Sequence, residues 1–204
     1  MGWFLWSTKH RIERITNTEQ RLVAKRFVDS NHSYIKWSDR PSRKLYWMLF
    51  EDSQVVGVWG LASAFGWPVD VKEFMKKHSI SFNELGNNIV YCLSGHKDRN
   101  AGTKFLKLLR RDAKVWWKER YGDELKALQC FVLPPRSGAM YKADNWSMIG
   151  VTAGKSLVMR TLYGKDREEL KKGVEVRTFK SGEVKYLLRE FVESPKKLIF
   201  VRLL

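Results

Sequence analysis

CFVLPPRSGAMYKADNWSMIGVTAGK, residues 130–155, is the stretch from which the rest of the chain is best read. It continues an apolar run over 125–133 and is halted by Pro134 and Pro135, which have no N–H to give a sheet ladder. A strand therefore ends here and the chain turns. Arg136, Ser137 and Gly138 then lead into a short segment carrying Tyr141, Lys142, Asp144, Asn145 and Trp146, closed by Gly150 and Gly154. A strand end, a proline stop and a glycine ahead of polar and aromatic side chains is how a scaffold delivers functional groups to a cleft. The same residues also read as a surface turn capping a short amphipathic helix.

Outward toward the N-terminus, the strand over 125–132 is fed by a long helix over 101–120, the clearest element of the sequence. Phe105, Leu109, Ala113 and Trp116 share one face, while Lys107, Arg111, Lys114 and Lys118 line the other. One face packs on a sheet; the basic stripe either tracks a phosphate backbone or is simply solvated. A strand over 88–93 enters this helix through Arg99, Asn100, Ala101, Gly102, Thr103 and Lys104. Helix N–H groups, the helix dipole and cations converge there, which makes an anion site in principle. The turn is neither GxxxxGK[ST] nor GxGxxG.

Further out, residues 9–16 suit a first strand, and Asn17 or Thr18 caps a helix ending near Asn31. His32, Ser33 and Tyr34 follow in a loop that runs into a basic, proline-broken segment with Arg40 and Arg43. Two apolar runs, 45–50 and 55–62, flank EDSQ as a hairpin, with Gly57 and Gly60 inside the second. Residues 66–86 read as a helical insertion. Beyond Gly154, a strand over 157–162, a hairpin around KSGE and a last strand after Pro195 form a β extension over 157–204. The expected organisation is a single domain, 1–204, of α/β (α+β) class: a mixed, mostly antiparallel central sheet flanked by helices, with an extra C-terminal hairpin.

Thirty-eight basic against 22 acidic residues leave a formal charge of +16, which favours a polyanionic partner. Nine tryptophans interleaved with lysine and arginine favour nucleic acid, because aromatic faces stack bases beside phosphate-binding cations. MGWFLW is too short for a signal or a membrane span, so a cytoplasmic protein without a membrane partner is expected. Cys92 and Cys130 lie in strand-like runs and read as reduced core residues. No CxxC or HxxxH spacing exists, so no metal site is expected. The oligomeric state is not legible.

The order of strands and helices looks like the acyltransferase fold of the GNAT superfamily. The turn Arg99-Asn100-Ala101-Gly102-Thr103-Lys104 is similar to that superfamily's pyrophosphate turn, Q/R-x-x-G-x-G/A, with Lys104 in place of the last small residue. GAMYKADNWSMIG, with Gly138, Tyr141, Ala143, Asn145, Trp146 and Gly150, resembles the G-x-x-Y-x-A-x-N-W/F-x-x-x-G segment of the phage Mom family and the related DruA-type defence proteins. The terminal SPKKLIFVRLL resembles the final strand of the latter. Mom proteins modify adenine in phage DNA and protect it from restriction. The resemblance implies DNA as partner, duplex or with the base extruded, and transfer of a small acyl-derived group to an exocyclic amine such as adenine N6. It also implies acetyl-CoA or another acyl-CoA donor, held by Arg99, Asn100, Gly102, Thr103 and Lys104. An aspartate that the family carries at the strand end is replaced here by Leu133 and Pro134, so Asp144 or Asp98 would have to take over.

Such a transfer needs a base, an oxyanion stabiliser and accurate positioning. His32 is the candidate base, Tyr34 a stacking residue, and Tyr141 a donor to the leaving thiolate, this last resting more on the resemblance than on spacing. Arg40, Arg43, Arg136, Lys142, Asn145, Trp146 and Lys155 are the candidate nucleic-acid contacts. Two other classes fit the same sequence. One is a non-catalytic nucleic-acid-binding protein on a degenerate acyltransferase fold; the other is an acyltransferase for a protein or small molecule.

Overall fold

The computed structural model describes residues 9–33, 35, 37, 43–64, 68–162, 174–178 and 184–204. The chain divides into two compact units, Met1–Gly150 with Leu198–Leu204, and Val151–Lys197.

The larger unit begins with β1 (His10–Arg14) and α1 (Thr18–Asn31), whose first turn is capped by Asn17 accepting from the Gln20 N–H at 2.9 Å. β2 (Lys44–Glu51) and β3 (Gln54–Ser63) form the expected hairpin, turning through Asp52 at φ 53°. Both strands are almost wholly buried, which is why they read as continuous apolar runs rather than alternating ones. Gly60 is required by packing: a Cβ there would lie 2.7 Å from both Tyr46 and Val90 on the flanking strands. The insertion before β4 (Leu85–Leu93) holds α2 (Val69–Lys77) and a 3-10 turn, Phe82–Glu84.

α3 (Ala101–Tyr121) follows and ends on Gly122 in the left-handed conformation, φ 76°. Its buried face is Ala101, Phe105, Leu106, Leu109, Ala113 and Trp117. Trp117 rather than Trp116 thus points to the sheet, and Trp116 is half-buried against Trp47. Lys107, Arg111, Lys114 and Lys118 are exposed, as the periodicity predicts. β5 (Ala127–Val132), α4 (Ala139–Ala143) and β6 (Ser147–Val151) complete the run, and β10 (Leu198–Leu203) returns from the C-terminus. The seven strands lie in the order β1-β2-β3-β4-β5-β10-β6, antiparallel in β1–β2, β2–β3, β3–β4 and β5–β10 and parallel in β4–β5.

The smaller unit is a three-stranded antiparallel sheet of β7 (Lys155–Leu162), β8 (Val174–Thr178) and β9 (Val184–Glu193), in the order β7-β9-β8. The KSGE turn expected between β8 and β9 lies outside the described residues. Thr152 and Lys197 close the base of the unit through two hydrogen bonds of 2.9 Å. The β extension is therefore shorter than 157–204. Ile199, Phe200 and Val201 are buried, and this side-chain burial draws the final strand into the large sheet beside β5.

Candidate active site

β4 and β5 run parallel only from Leu85–Ala127 to Asn88–Cys130, and beyond that pair the ladder stops. β4 continues to Leu93 and β5 to Val132, so the two strands part in the middle of the sheet. At the same point β4 carries one residue more than β3: Gly60 pairs with Val90 but Leu61 pairs with Asn88, which leaves Ile89 as a bulge. A bulged residue drops out of the ladder and re-aims its backbone groups.

Tyr141 sits beside this split. Gly138 enters α4 at φ 70°, and a Cβ there would come 2.4 Å from the Phe200 ring, so only glycine lets α4 start this close to β10. α4 thereby seats Tyr141 against Phe200, centroids 5.8 Å apart, and edge-on to Trp146 at 5.1 Å. The Tyr141 hydroxyl accepts from Asn88 Nδ2 at 2.9 Å and stands beside the Cys130 thiol. Burial drives the Cys130 thiol pKa far upward, so it stays protonated and is no nucleophile. Asn88 and Cys130 are the last residues of the parallel ladder, and Tyr141 ties them together across its open end.

The turn ahead of α3 has Asn100 as N-cap, with exposed Arg99, Asn100 and Lys104. The Asn100 carbonyl accepts from Thr103 Oγ1 at 3.0 Å and from the Lys104 N–H at 3.1 Å. Gly102 packs closely on α4: its carbonyl takes the Tyr91 hydroxyl at 2.6 Å, and a Cβ would lie 2.6 Å from Met140 Sδ, so the methionine side chain would have to shift. Turn, split and α4 are thus mutually packed. Asp98 holds Lys104 at 2.5 Å and accepts the Asn100 N–H, and these bonds lower its pKa to about 2.

The other candidates fall into distinct settings. Asp144 is buried and committed: it takes Arg110 at 2.7 Å and the Trp146 indole N–H at 2.9 Å, so it anchors α4 to α3 rather than facing an acceptor. His32 ends α1, where its Nδ1 accepts the Ile35 N–H at 3.1 Å. In the neutral ring the proton is then on Nε2, and the remaining lone pair, on Nδ1, is the one engaged by the Ile35 N–H. Tyr34 and Arg40 lie outside the described residues. Arg43 is held by Asp123 at 2.5 Å and stacks over Trp117 and Tyr121, a structural role. Arg136 reaches Ser33 Oγ at 2.5 Å, which joins the loop after α1 to the loop after β5. Lys142 and Asn145 are exposed, Asn145 at φ 58° with its carbonyl taken by Arg202. Lys155 is exposed in the smaller unit. Trp146 is buried and offers no face to a base.

The tryptophan argument changes with it. Of the six described tryptophans, Trp47, Trp59, Trp117 and Trp146 are buried and Trp37 and Trp116 half-buried. The case for a polyanion therefore rests on charge. Sequence reasoning missed Asn88, Ile89 and Cys130 as parts of the site, because a bulge and the end of a ladder have no residue signature.

No family model matches the chain, and no curated protein matches it. Solved structures do. The acetyltransferase of Salmonella typhimurium that modifies the N-terminal serine of 50S ribosomal subunit protein L7/L12 superposes with a TM-score of 0.53 over 97% of this chain and 96% of its own, at 8% identity. The ribosomal-protein-S18-alanine N-acetyltransferase of Escherichia coli gives 0.50 over 95% and 93%, at 9% identity. The IAA acetyltransferase of Bacillus cereus gives 0.50 over 96% and 99%, at 15%. The chain has the acetyltransferase fold, as its mixed, mostly antiparallel sheet and flanking helices also show. Among the described residues, no helix is long and apolar enough to cross a membrane.

Proposed function

We propose that this protein is an acyl-CoA-dependent N-acyltransferase whose acceptor is an exocyclic amine of a DNA base, with adenine N6 as the site of transfer. The observation that carries the transferase reading is the parting of β4 from β5 at the Ile89 bulge, beside Tyr141, in a chain with the acetyltransferase fold. The turn fits the donor's diphosphate: Arg99 and Lys104 are exposed at the N-terminus of a 21-residue helix, where cations and helix dipole act together. Bound there, coenzyme A would supply an activated acyl thioester.

The chain's own residues account for the rest. Backbone N–H groups at the bulge would meet the thioester oxygen of a bound donor and stabilise the charge it gains on attack by an amine. Tyr141, whose hydroxyl is held by the Asn88 amide, would give its proton to the leaving thiolate, and the proton shed by the attacking amine as the amide forms would return to the tyrosinate, so that thiol and amide leave and the tyrosine is restored. Gly102 and Met140 fix the distance between turn and α4. The acceptor class rests on the +16 charge, the exposed basic face of α3 and the Mom-like Gly138–Gly150 segment.

The test is release of free thiol from acetyl-CoA by the purified protein with plasmid DNA. Wild type should release thiol in proportion to DNA, and Tyr141→Phe should not. Release that is independent of DNA but stimulated by a protein or amine would assign the second reading, an acyltransferase for such acceptors. That reading is favoured by two structural neighbours that acetylate ribosomal proteins.

A further inference from the structure

Three residues far apart in sequence meet at the edge of the large sheet. His10 opens β1, Glu51 closes β2 directly opposite it, and Asp98 stands in the loop between β4 and α3. The His10 Nε2 lies 3.7 Å from Glu51 Oε1 and 3.3 Å from Asp98 Oδ2, and the three ligand atoms fall within 4.8 Å of one another. Four ligands around a zinc ion at ~2.0–2.1 Å stand roughly 3.3–3.4 Å apart, so the His10–Asp98 edge already has this length and the His10–Glu51 edge is a few tenths of an ångström longer. His10 and Glu51 are 5% and 4% exposed. Yet His10 Nε2 makes no hydrogen bond, although it is aimed between two carboxylates. A buried imidazole nitrogen without a partner is a costly arrangement that a cation would relieve.

The surroundings are those of a prepared ligand set. Glu51 is oriented by the N–H groups of Lys97 at 2.6 Å and Asp98 at 3.1 Å, Asp98 by the Asn100 N–H at 2.8 Å, and the His10 ring by the edge of Phe105 at 5.2 Å. Two lysines stand nearby, Lys9 at 3.5 Å from Glu51 and Lys104 at 2.5 Å from Asp98. Both side chains are about half exposed, 45% and 52%, and long enough to turn into solvent when a cation takes over the charge.

We propose that His10 Nε2, Glu51 and Asp98 bind one divalent transition-metal ion of the zinc class. One imidazole and two carboxylates suit zinc better than magnesium or calcium, which take oxygen ligands. The ion ties β1, the end of β2 and the loop that enters the Arg99–Lys104 turn, and so stiffens that turn. This holds whatever the acceptor of the reaction is.

The experiment is zinc titration of the metal-stripped full chain by calorimetry, followed by cobalt substitution and visible absorption. The expected result is one zinc per chain, with His10→Ala and Asp98→Asn each binding at least about tenfold more weakly. Cobalt should give ligand-field bands in wild type that vanish in both variants. Circular dichroism checks their folding. If His10→Ala does not fold, Asp98→Asn, placed in a loop, carries the same comparison. Zinc binding that the folded variants leave unchanged, or no stoichiometric binding by wild type, would overturn the site.

Discussion

Tyr141 holds the ladder end together, and in the proposed reaction it would also supply the proton to the leaving thiolate. Tyr141→Phe removes only the hydroxyl and keeps the ring packing on Phe200 and Trp146. The expected outcome is a kcat lower by about 10²–10⁴ with little change in donor KM, and a stability loss of ~1–3 kcal/mol because the buried Asn88 amide loses its partner. Stopped-time kinetics and urea melts measure the two. Asp144→Ala should behave differently. It leaves Arg110 and the Trp146 indole without their acceptor, so about 3–5 kcal/mol of stability is lost, read from the same melts. His32→Asn should lower the rate less than tenfold, far short of the ~10²–10⁴ a general base contributes, since its Nδ1 serves the Ile35 N–H. The sequence singles out Tyr141 through the resemblance of 138–150 to the Mom segment, and the structure places it at the end of the β4–β5 ladder. Asp144 and Trp146 were legible as members of that segment but not as structural ones, because sequence spacing does not reveal that each is the other's hydrogen-bond partner.

Between residues and fold stand the devices that aim α4 and β4. Gly138→Ala meets both a positive φ and the Phe200 ring, so it should cost roughly 2–3 kcal/mol and displace Tyr141. A crystal structure or tyrosine fluorescence of the variant would show the displacement. At the start of the parallel ladder, Lys126 bonds Glu84 at 2.6 Å, and together with the Ser81 N–H this lowers the Glu84 pKa from 4.5 to about 2. Since the folded pKa is the lower one, the stabilisation is present above pH 4.5 and is lost as pH falls toward about 2. Thermal melts between those limits should fall more steeply for wild type than for Glu84→Gln. The elements themselves were largely legible. The long helix, the hairpin around EDSQ and the proline stop after β5 follow from periodicity and from residues that cannot pair. The splitting of β4 from β5 was not, since a ladder ends where packing across the sheet ends and not at any residue type.

At the scale of the molecule, the acetyltransferase fold was legible from element order, whereas the return of β10 into the large sheet was not: KKLIFVRLL marks a strand, and only side-chain burial chooses its neighbours. Charge is the molecule-wide property with a direct consequence. If six to ten phosphates are neutralised, affinity for duplex DNA should fall by about 10³–10⁵ between 50 and 200 mM salt. Fluorescence anisotropy measures this, and an affinity that stays flat over that range would remove DNA as acceptor. Four of the six described tryptophans are buried and the other two half-buried, so no comparable argument comes from stacking.

The most direct measurement of the central claim is mass spectrometry of nucleosides digested from plasmid DNA of cells that express this protein, beside cells that express Tyr141→Phe. The account predicts an adenosine-derived nucleoside carrying an acyl increment with wild type and at most a trace with the variant. Unmodified nucleosides from cells whose protein is folded, together with acyl transfer to a non-nucleic amine in their extract, would contradict DNA modification and leave the transferase. The same new nucleoside at equal abundance with Tyr141→Phe would contradict the role of the tyrosine.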